Sequence, residues 1–265
     1  MRLDKFLLEN GFFTSREKAQ AAIKHKTVKV DGAVCTKAST DITQDNSVEV
    51  IDIFNRYVSM GGLKLEKAIK DFSIDFAGKS VLDIGASTGG FTDCAIHHGA
   101  ASVVAVDVGT AQLAPALLND KRVISLENRD FRTLTLEDLG TKVFDIVVSD
   151  VSFISLTYII PNLVNFLSEE SLAVLLIKPQ FEAGQSFLNR SGIVTEEKGQ
   201  KLAIQRVVGE ALNHKLFLHG ISVSTLFEKH KNVEFLAIFS KKNSNFSPNY
   251  TELFNEVKKL KKSLS

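Results

Sequence analysis

From residue 80 onward the sequence alternates between short apolar runs and stretches with helical spacing. The runs are SVLDIG, SVVAVDV, RVISL, FDIVVSD, LAVLLIK, GISVSTLF and VEFLAIF. This alternation predicts an α/β domain built on a mainly parallel sheet. The last two runs follow each other closely, which predicts an antiparallel finish at one edge. Ahead of them, Leu65, Ala68, Ile69 and Phe72 mark one face of an amphipathic helix. Pro161 interrupts the run ISLTYIIPNLVNFL, so that helix is either kinked there or starts later.

The first fifty residues read differently, as a small α+β module. Leu3, Phe6, Leu7 and Phe12–Phe13 suggest one short helix, and Thr14-Ser15-Arg16-Glu17 has the form of a capping box opening a second. TVKVDGAVC reads as two strands around an Asp31-Gly32 turn, and SVEVI as a third. Residues 52–60 read as a linker, 61–242 as the α/β domain and 243–265 as a lysine-rich, partly helical tail. The formal net charge is only +1, so any contact with nucleic acid must come from local clustering. Such a cluster exists: Arg16, Lys18, Lys24, His25, Lys26 and Lys29 lie on or just after the second helix, interrupted only by Glu17. It is either a solvated helix face or a phosphate-facing patch.

Several classes are disfavoured. Two cysteines without C-x-x-C spacing suit neither a disulfide framework nor a zinc site and fit a reducing cytoplasm. The histidines show no H-x-x-x-H pattern, so no metal is expected. Charges inside the N-terminal apolar stretch argue against a signal peptide, and no apolar window is long enough to span a bilayer.

In an open α/β sheet ligands sit beyond the carboxyl ends of the strands. There the sequence places Asp83 and the turn Gly85-Ala86-Ser87-Thr88-Gly89-Gly90 after the first strand, Asp107 after the second, Asp150 after the fourth and Lys178 after the fifth. Gly85–Gly89 fits the G-x-S-x-G elbow of a serine hydrolase, but no oxyanion loop precedes it and it follows the first strand of its domain. As a dinucleotide turn it has Ser87 where the second glycine lets the backbone approach a pyrophosphate. A cofactor without a pyrophosphate, S-adenosylmethionine, fits better: Asp107 suits the adenosine hydroxyls, and the turn with Asp83 suits the amino-acid end. The candidate cofactor set is Asp83, Gly85, Ala86, Ser87, Gly89, Gly90, Phe91, Asp107, Val108 and Asp130. Lys64, Asp150, Lys178 and Glu234 are left over as polar residues flanking or interrupting apolar elements, either as a structural ion-pair cluster or as machinery for methyl transfer to a hydroxyl.

YVSMGGLKLEKAI, VLDIGASTGGFTDC, AVDVG, SDVSFISL, IKPQFEAG and NVEFL resemble the TlyA family, and RLDKFLLENGFFTSREKA with VKVDG resembles an S4 RNA-binding domain. The resemblance covers almost the whole chain. It implies a Rossmann-like class I methyltransferase domain, mainly parallel with an antiparallel edge, preceded by a small α+β S4 domain over residues 1–51. It also implies a Lys-Asp-Lys-Glu tetrad at Lys64, Asp150, Lys178 and Glu234, S-adenosylmethionine as cofactor, and 2′-O-methylation of cytidine in 16S and/or 23S ribosomal RNA within ribosomal subunits, hence a cytoplasmic protein. The candidate RNA-binding set is Arg2, Arg16, Lys18, Lys24, Lys26 and Lys29. Members of this family are often labelled haemolysins. Three residues depart from the family's pattern: Met60 stands in place of arginine, and Lys26 and Lys231 in place of glycine. An RNA-binding assembly factor on an inactive methyltransferase fold remains an alternative, as does the hydrolase.

Overall fold

The computed structural model describes residues 1–51, 54–140, 143–225 and 231–264. The N-terminal module consists of α1 (Leu3–Glu9), α2 (Arg16–Lys24), β1 (Val28–Val30), β2 (Ala33–Val34) and β3 (Val48–Val50), the strands in antiparallel order β2-β1-β3. Asp31 and Gly32 both adopt positive φ, +51° and +78°, as a two-residue hairpin turn requires. The first helix stops before Phe12 and Phe13, and Phe13 instead fills the module's core. The N-cap falls one residue later than the capping box suggests: Ser15 Oγ accepts from Lys18 N–H. Lys26 holds the left-handed conformation that glycine adopts freely, at φ +62°.

Asp4 organises this module. Its fully buried carboxylate accepts from Arg2 at 3.0 and 3.1 Å, Arg16 at 2.9 Å and Gln20 at 2.8 Å. The hydrogen bonds from Arg2 outweigh burial and hold the carboxyl well below the usual carboxylate range.

The segment read as a linker is packed tightly from Phe54 on; Asp52 and Ile53 lie outside the described residues. Phe54 and Met60 join the core of the N-terminal module, while Tyr57 is buried in the core of the α/β domain. Lys18 Nζ donates to Tyr57 O at 2.8 Å, and Val58 N–H donates to Asp93 at 2.7 Å. A free tether would bury none of these groups.

The α/β domain runs α3 (Gly61–Phe72), β4 (Ser80–Ile84), α4 (Gly90–His97), β5 (Ser102–Val106), α5 (Pro115–Leu118), β6 (Val123–Leu126), β7 (Phe144–Ser149), α6 (Ile160–Leu163), β8 (Leu167–Ile177), α7 (Pro179–Glu182), α8 (Glu197–Asn213), β9 (Phe217–Val223), β10 (Phe235–Ser240) and α9 (Tyr250–Ser263). The sheet order is β6-β5-β4-β7-β8-β10-β9. Pairings from β6 to β8 are parallel, and β10 runs antiparallel to both β8 and β9. The order turns around at β4 between β5 and β7, the switch point where such sheets open a crevice. Pro161 resolves as a late start: the chain passes through a 3₁₀ turn at Leu156–Tyr158 before α6, with the proline in its first turn. Leu226, Phe227 and His230 lie outside the described residues.

Two glycines let the helices that frame the crevice come together. A Cβ on Gly62 would lie 2.4 Å from the Tyr57 ring, and one on Gly90 would lie 2.9 Å from Gly62 N. The start of α3 is thereby seated against the start of α4, which sets Lys64 over the carboxyl ends of the strands.

Candidate active site

Two cavities open beyond the strand ends and meet at Gly85, Ser87, Asp150 and Ser152. The turn between them is shaped by backbone. Gly85, at φ +82°, lies so close to β7's exit that a Cβ would stand 2.9 Å from Val151 Cγ1. Ser87 (φ +49°) and Gly89 (φ +94°) complete the reversal into α4. Asp107 fixes the turn from the side, accepting from Ser87 N–H and Gly109 N–H, each at 2.7 Å.

Asp107, Val108, Asp130, Phe131 and Ile159 line the second cavity, which is the more apolar of the two. Asp130 is paired with Arg132 at 2.5 Å. Phe91 is buried and borders the first cavity with Ala86 and Gly90. Asp83 does not reach either cavity. It is fully buried beneath the turn, where Oδ2 accepts from Thr92 Oγ1 at 2.7 Å and Oδ1 has no partner among the described residues. Burial pushes its carboxyl up to about 7.

Lys64, Asp150, Lys178 and Glu234 come together in the first cavity from α3 and from the ends of β7, β8 and the approach to β10. Lys178 Nζ is 2.6 Å from Asp150 Oδ1 and donates to Ser152 Oγ at 2.7 Å. Lys64 Nζ is 2.7 Å from Glu234 and 3.8 Å from the other Asp150 oxygen. Burial disfavours the Lys64 charge, but the carboxylates of Asp150 and Glu234 together prevail and raise its pKa above the ordinary lysine value. Two lysines and two carboxylates thus alternate around one polar pocket.

The basic set of the N-terminal module divides. Lys24 and Lys26 are exposed, Lys29 lies 3.8 Å from Glu49, and Arg2 and Arg16 are half-exposed while bound to Asp4. Lys18, expected on the phosphate-facing patch, is buried instead. Its ammonium points inward to Thr14 and Tyr57, because the helix face that carries it seals the module against residues 54–60. Among the described residues no histidine lines either cavity to serve Ser87 as a base; His230 lies outside the described residues.

Other residues at the site were not among the candidate site residues. Ser59, Met60, Thr225, Lys231, Asn232 and, from α2, Glu17 line the first cavity. Phe153 stands 93% exposed at the edge of the second, at φ +64°, its ring 5.4 Å from that of Phe181. Glu182 is buried and accepts from Ser155 Oγ and from Leu156 N–H. That contact couples the KPQFE and DVSFISL motifs: the carboxylate of one accepts from Ser155 and Leu156 of the other, where its last residue opens a 3₁₀ turn. The signal lay in the motifs themselves, which carry polar residues that strand and helix patterns do not require.

A sheet of this order, with a glycine turn after its first strand and an acid after its second, defines a Rossmann-like class I methyltransferase. Residues 57–241 match the FtsJ-like methyltransferase family and residues 1–48 the S4 domain, and the chain belongs to the FtsJ-like methyltransferase family. It is 39% identical to the 16S/23S rRNA (cytidine-2′-O)-methyltransferase TlyA of Mycobacterium tuberculosis, over 88% of this chain and 87% of that one. It is 38% identical to Hemolysin A of Brachyspira hyodysenteriae, over 90% of this chain and 99% of that one. A solved structure of a Streptococcus thermophilus protein described as a hemolysin superposes with a TM-score of 0.77 at 35% identity, covering 99% of this chain and 97% of the other.

Proposed function

We propose that this chain transfers a methyl group from S-adenosylmethionine to the 2′-hydroxyl of a cytidine in ribosomal RNA, acting in the cytoplasm on a ribosomal subunit held by its S4 domain. The observation that carries this reading is the Lys64–Asp150–Lys178–Glu234 cluster directly beside the Gly85–Ser87 turn. The M. tuberculosis relative bears the corresponding activity in its name.

The residues of the second cavity fit the cofactor. Its apolar walls suit an adenine, and the Asp107 oxygens, already held by two amides, keep lone pairs for ribose hydroxyls. The Asp83 Oδ1 without a partner lies just beneath the turn that the amino-acid end would contact. When bound, S-adenosylmethionine supplies a methyl group already activated by the sulfonium.

The chain's own work is to position and deprotonate the acceptor. Lys64, held protonated by two carboxylates, anchors Asp150 and Glu234. Asp150 and Ser152 aim the Lys178 amine into the pocket. Lys178 accepts the proton of the ribose hydroxyl, whose oxygen then takes the methyl group. Among the described residues no helix is long and apolar enough to cross a membrane, which leaves a pore-forming role without a spanning element of that kind.

The test is incubation of purified ribosomal subunits with the chain and labelled S-adenosylmethionine. The reading requires label in ribosomal RNA at ribose. Cofactor binding without incorporation would identify an RNA-binding factor on a silent methyltransferase fold.

A further inference from the structure

The first cavity holds three carboxylates, and two of them are engaged. Asp150 lies against both lysines and Glu234 against Lys64. The third, Glu17, comes from the first turn of α2 in the S4 domain and makes no ion pair within 4 Å among the described residues. Its charge still reaches Lys64 and adds to those that keep it protonated.

Glu17 is held there by its own neighbours. Lys18, the next residue, is buried and bonded to Tyr57 O, and Tyr57 is packed beneath Gly62 at the start of the helix that carries Lys64. Met60, which borders the same cavity, belongs to the S4 core. The S4 domain is therefore a wall of the catalytic cavity as well as an RNA tether.

A free carboxylate can only accept hydrogen bonds, and it repels phosphate. The cavity offers phosphate a better place at Lys231, on its exposed rim. A nucleotide that presents its 2′-hydroxyl to the Lys178 amine has its 3′ oxygen esterified in the chain, so its remaining donors are on the base. Glu and Asp side chains accept from the exocyclic amine of cytosine, where uracil has a carbonyl oxygen instead.

We propose that Glu17 is the residue that selects the acceptor base, accepting a hydrogen bond from the cytosine amino group and rejecting uracil through its O4. This rests on the methyltransferase reading above. No proton or electron is transferred at Glu17, and its contribution is to orientation and discrimination.

The experiment compares ribosomal subunits that carry cytidine or uridine at the methylated position, purified from cells engineered at that one nucleotide. Wild type, Glu17→Gln and Glu17→Ala are assayed on both. Wild type should favour cytidine. In Glu17→Gln the amide can donate to uracil O4, so the cytidine-to-uridine ratio of kcat/KM should fall about ten- to a hundredfold. Glu17→Ala should lose rate on cytidine by about tenfold or more through KM, with S-adenosylmethionine affinity and melting temperature unchanged. A ratio within twofold of wild type in both variants overturns the assignment. A wild-type chain that methylates neither subunit removes the parent reading, and this inference with it.

Discussion

At the scale of single residues, the site separates two lysines that look alike in the sequence. Lys64 sits between Glu234 and Asp150 with its pKa raised, while Lys178 is held by Asp150 and Ser152 at the end of an apolar strand. Lys178→Ala should cost roughly 10²–10⁴ in single-turnover rate. Lys178→Arg should fail almost as badly, because a guanidinium does not release its proton near neutrality. Both variants should bind S-adenosylmethionine as wild type does, read by titration calorimetry. Asp83 yields a stability prediction of definite sign. Its folded pKa, about 7, lies above the unfolded value of about 3.9, so the folded state holds the proton longer. Its contribution is therefore most favourable below about pH 4, declines as pH rises, and is flat above about 7. Asp83→Asn should remove that decline, leaving the variant more stable than wild type at pH 8, relative to their difference at pH 4, by a few kcal/mol at most. Denaturant titrations of both proteins at the two pH values measure it; a pH-independent difference would contradict it.

At the scale of elements, the Asp4 cluster makes α1 and α2 one unit. Asp4→Asn should destabilise the S4 domain by roughly 2–4 kcal/mol, since two guanidiniums lose a fully buried anionic partner. The carboxylate's depressed pKa gives stability that is present above about pH 4 and lost as pH falls through the folded value. Wild type should thus show an acid-sensitive transition of this domain that the variant lacks. The strands were legible because apolar runs of this length, interleaved with helical stretches, have one common solution. The antiparallel edge was legible from the short spacing before β10. The tetrad was legible as polar residues in places where burial is costly without pairing. Residues 54–60 were not: their composition is that of a linker, and only the assembled structure shows Phe54 and Tyr57 entering different cores. Lys18 was misread for the same reason, since a cation in a basic run has no local sign that its partner is a carbonyl 39 residues on. Glu17 appeared only as the interruption of a basic run.

At the scale of the whole molecule, the proposed function has the S4 domain supply charge to an RNA contact, while its Glu17 and the Met60 packed in its core line the first cavity. Neutralising Lys24, Lys26 and Lys29 together should weaken RNA binding and flatten the log–log salt slope by roughly two to three units, close to one per lost phosphate contact. An unchanged slope would make the patch a solvated surface. The α/β domain has its own buried clusters on both faces of the sheet, so cutting the chain within residues 52–53 should leave S-adenosylmethionine affinity within several-fold while RNA affinity falls. The most direct measurement of the central claim is a map of ribose methylation in ribosomal RNA from subunits treated with wild type or with Lys178→Ala, both saturated with S-adenosylmethionine. The account predicts a 2′-O-methyl group on cytidine with wild type and none above background with the variant. Methylation on a base, or equal ribose methylation by both proteins, would contradict it.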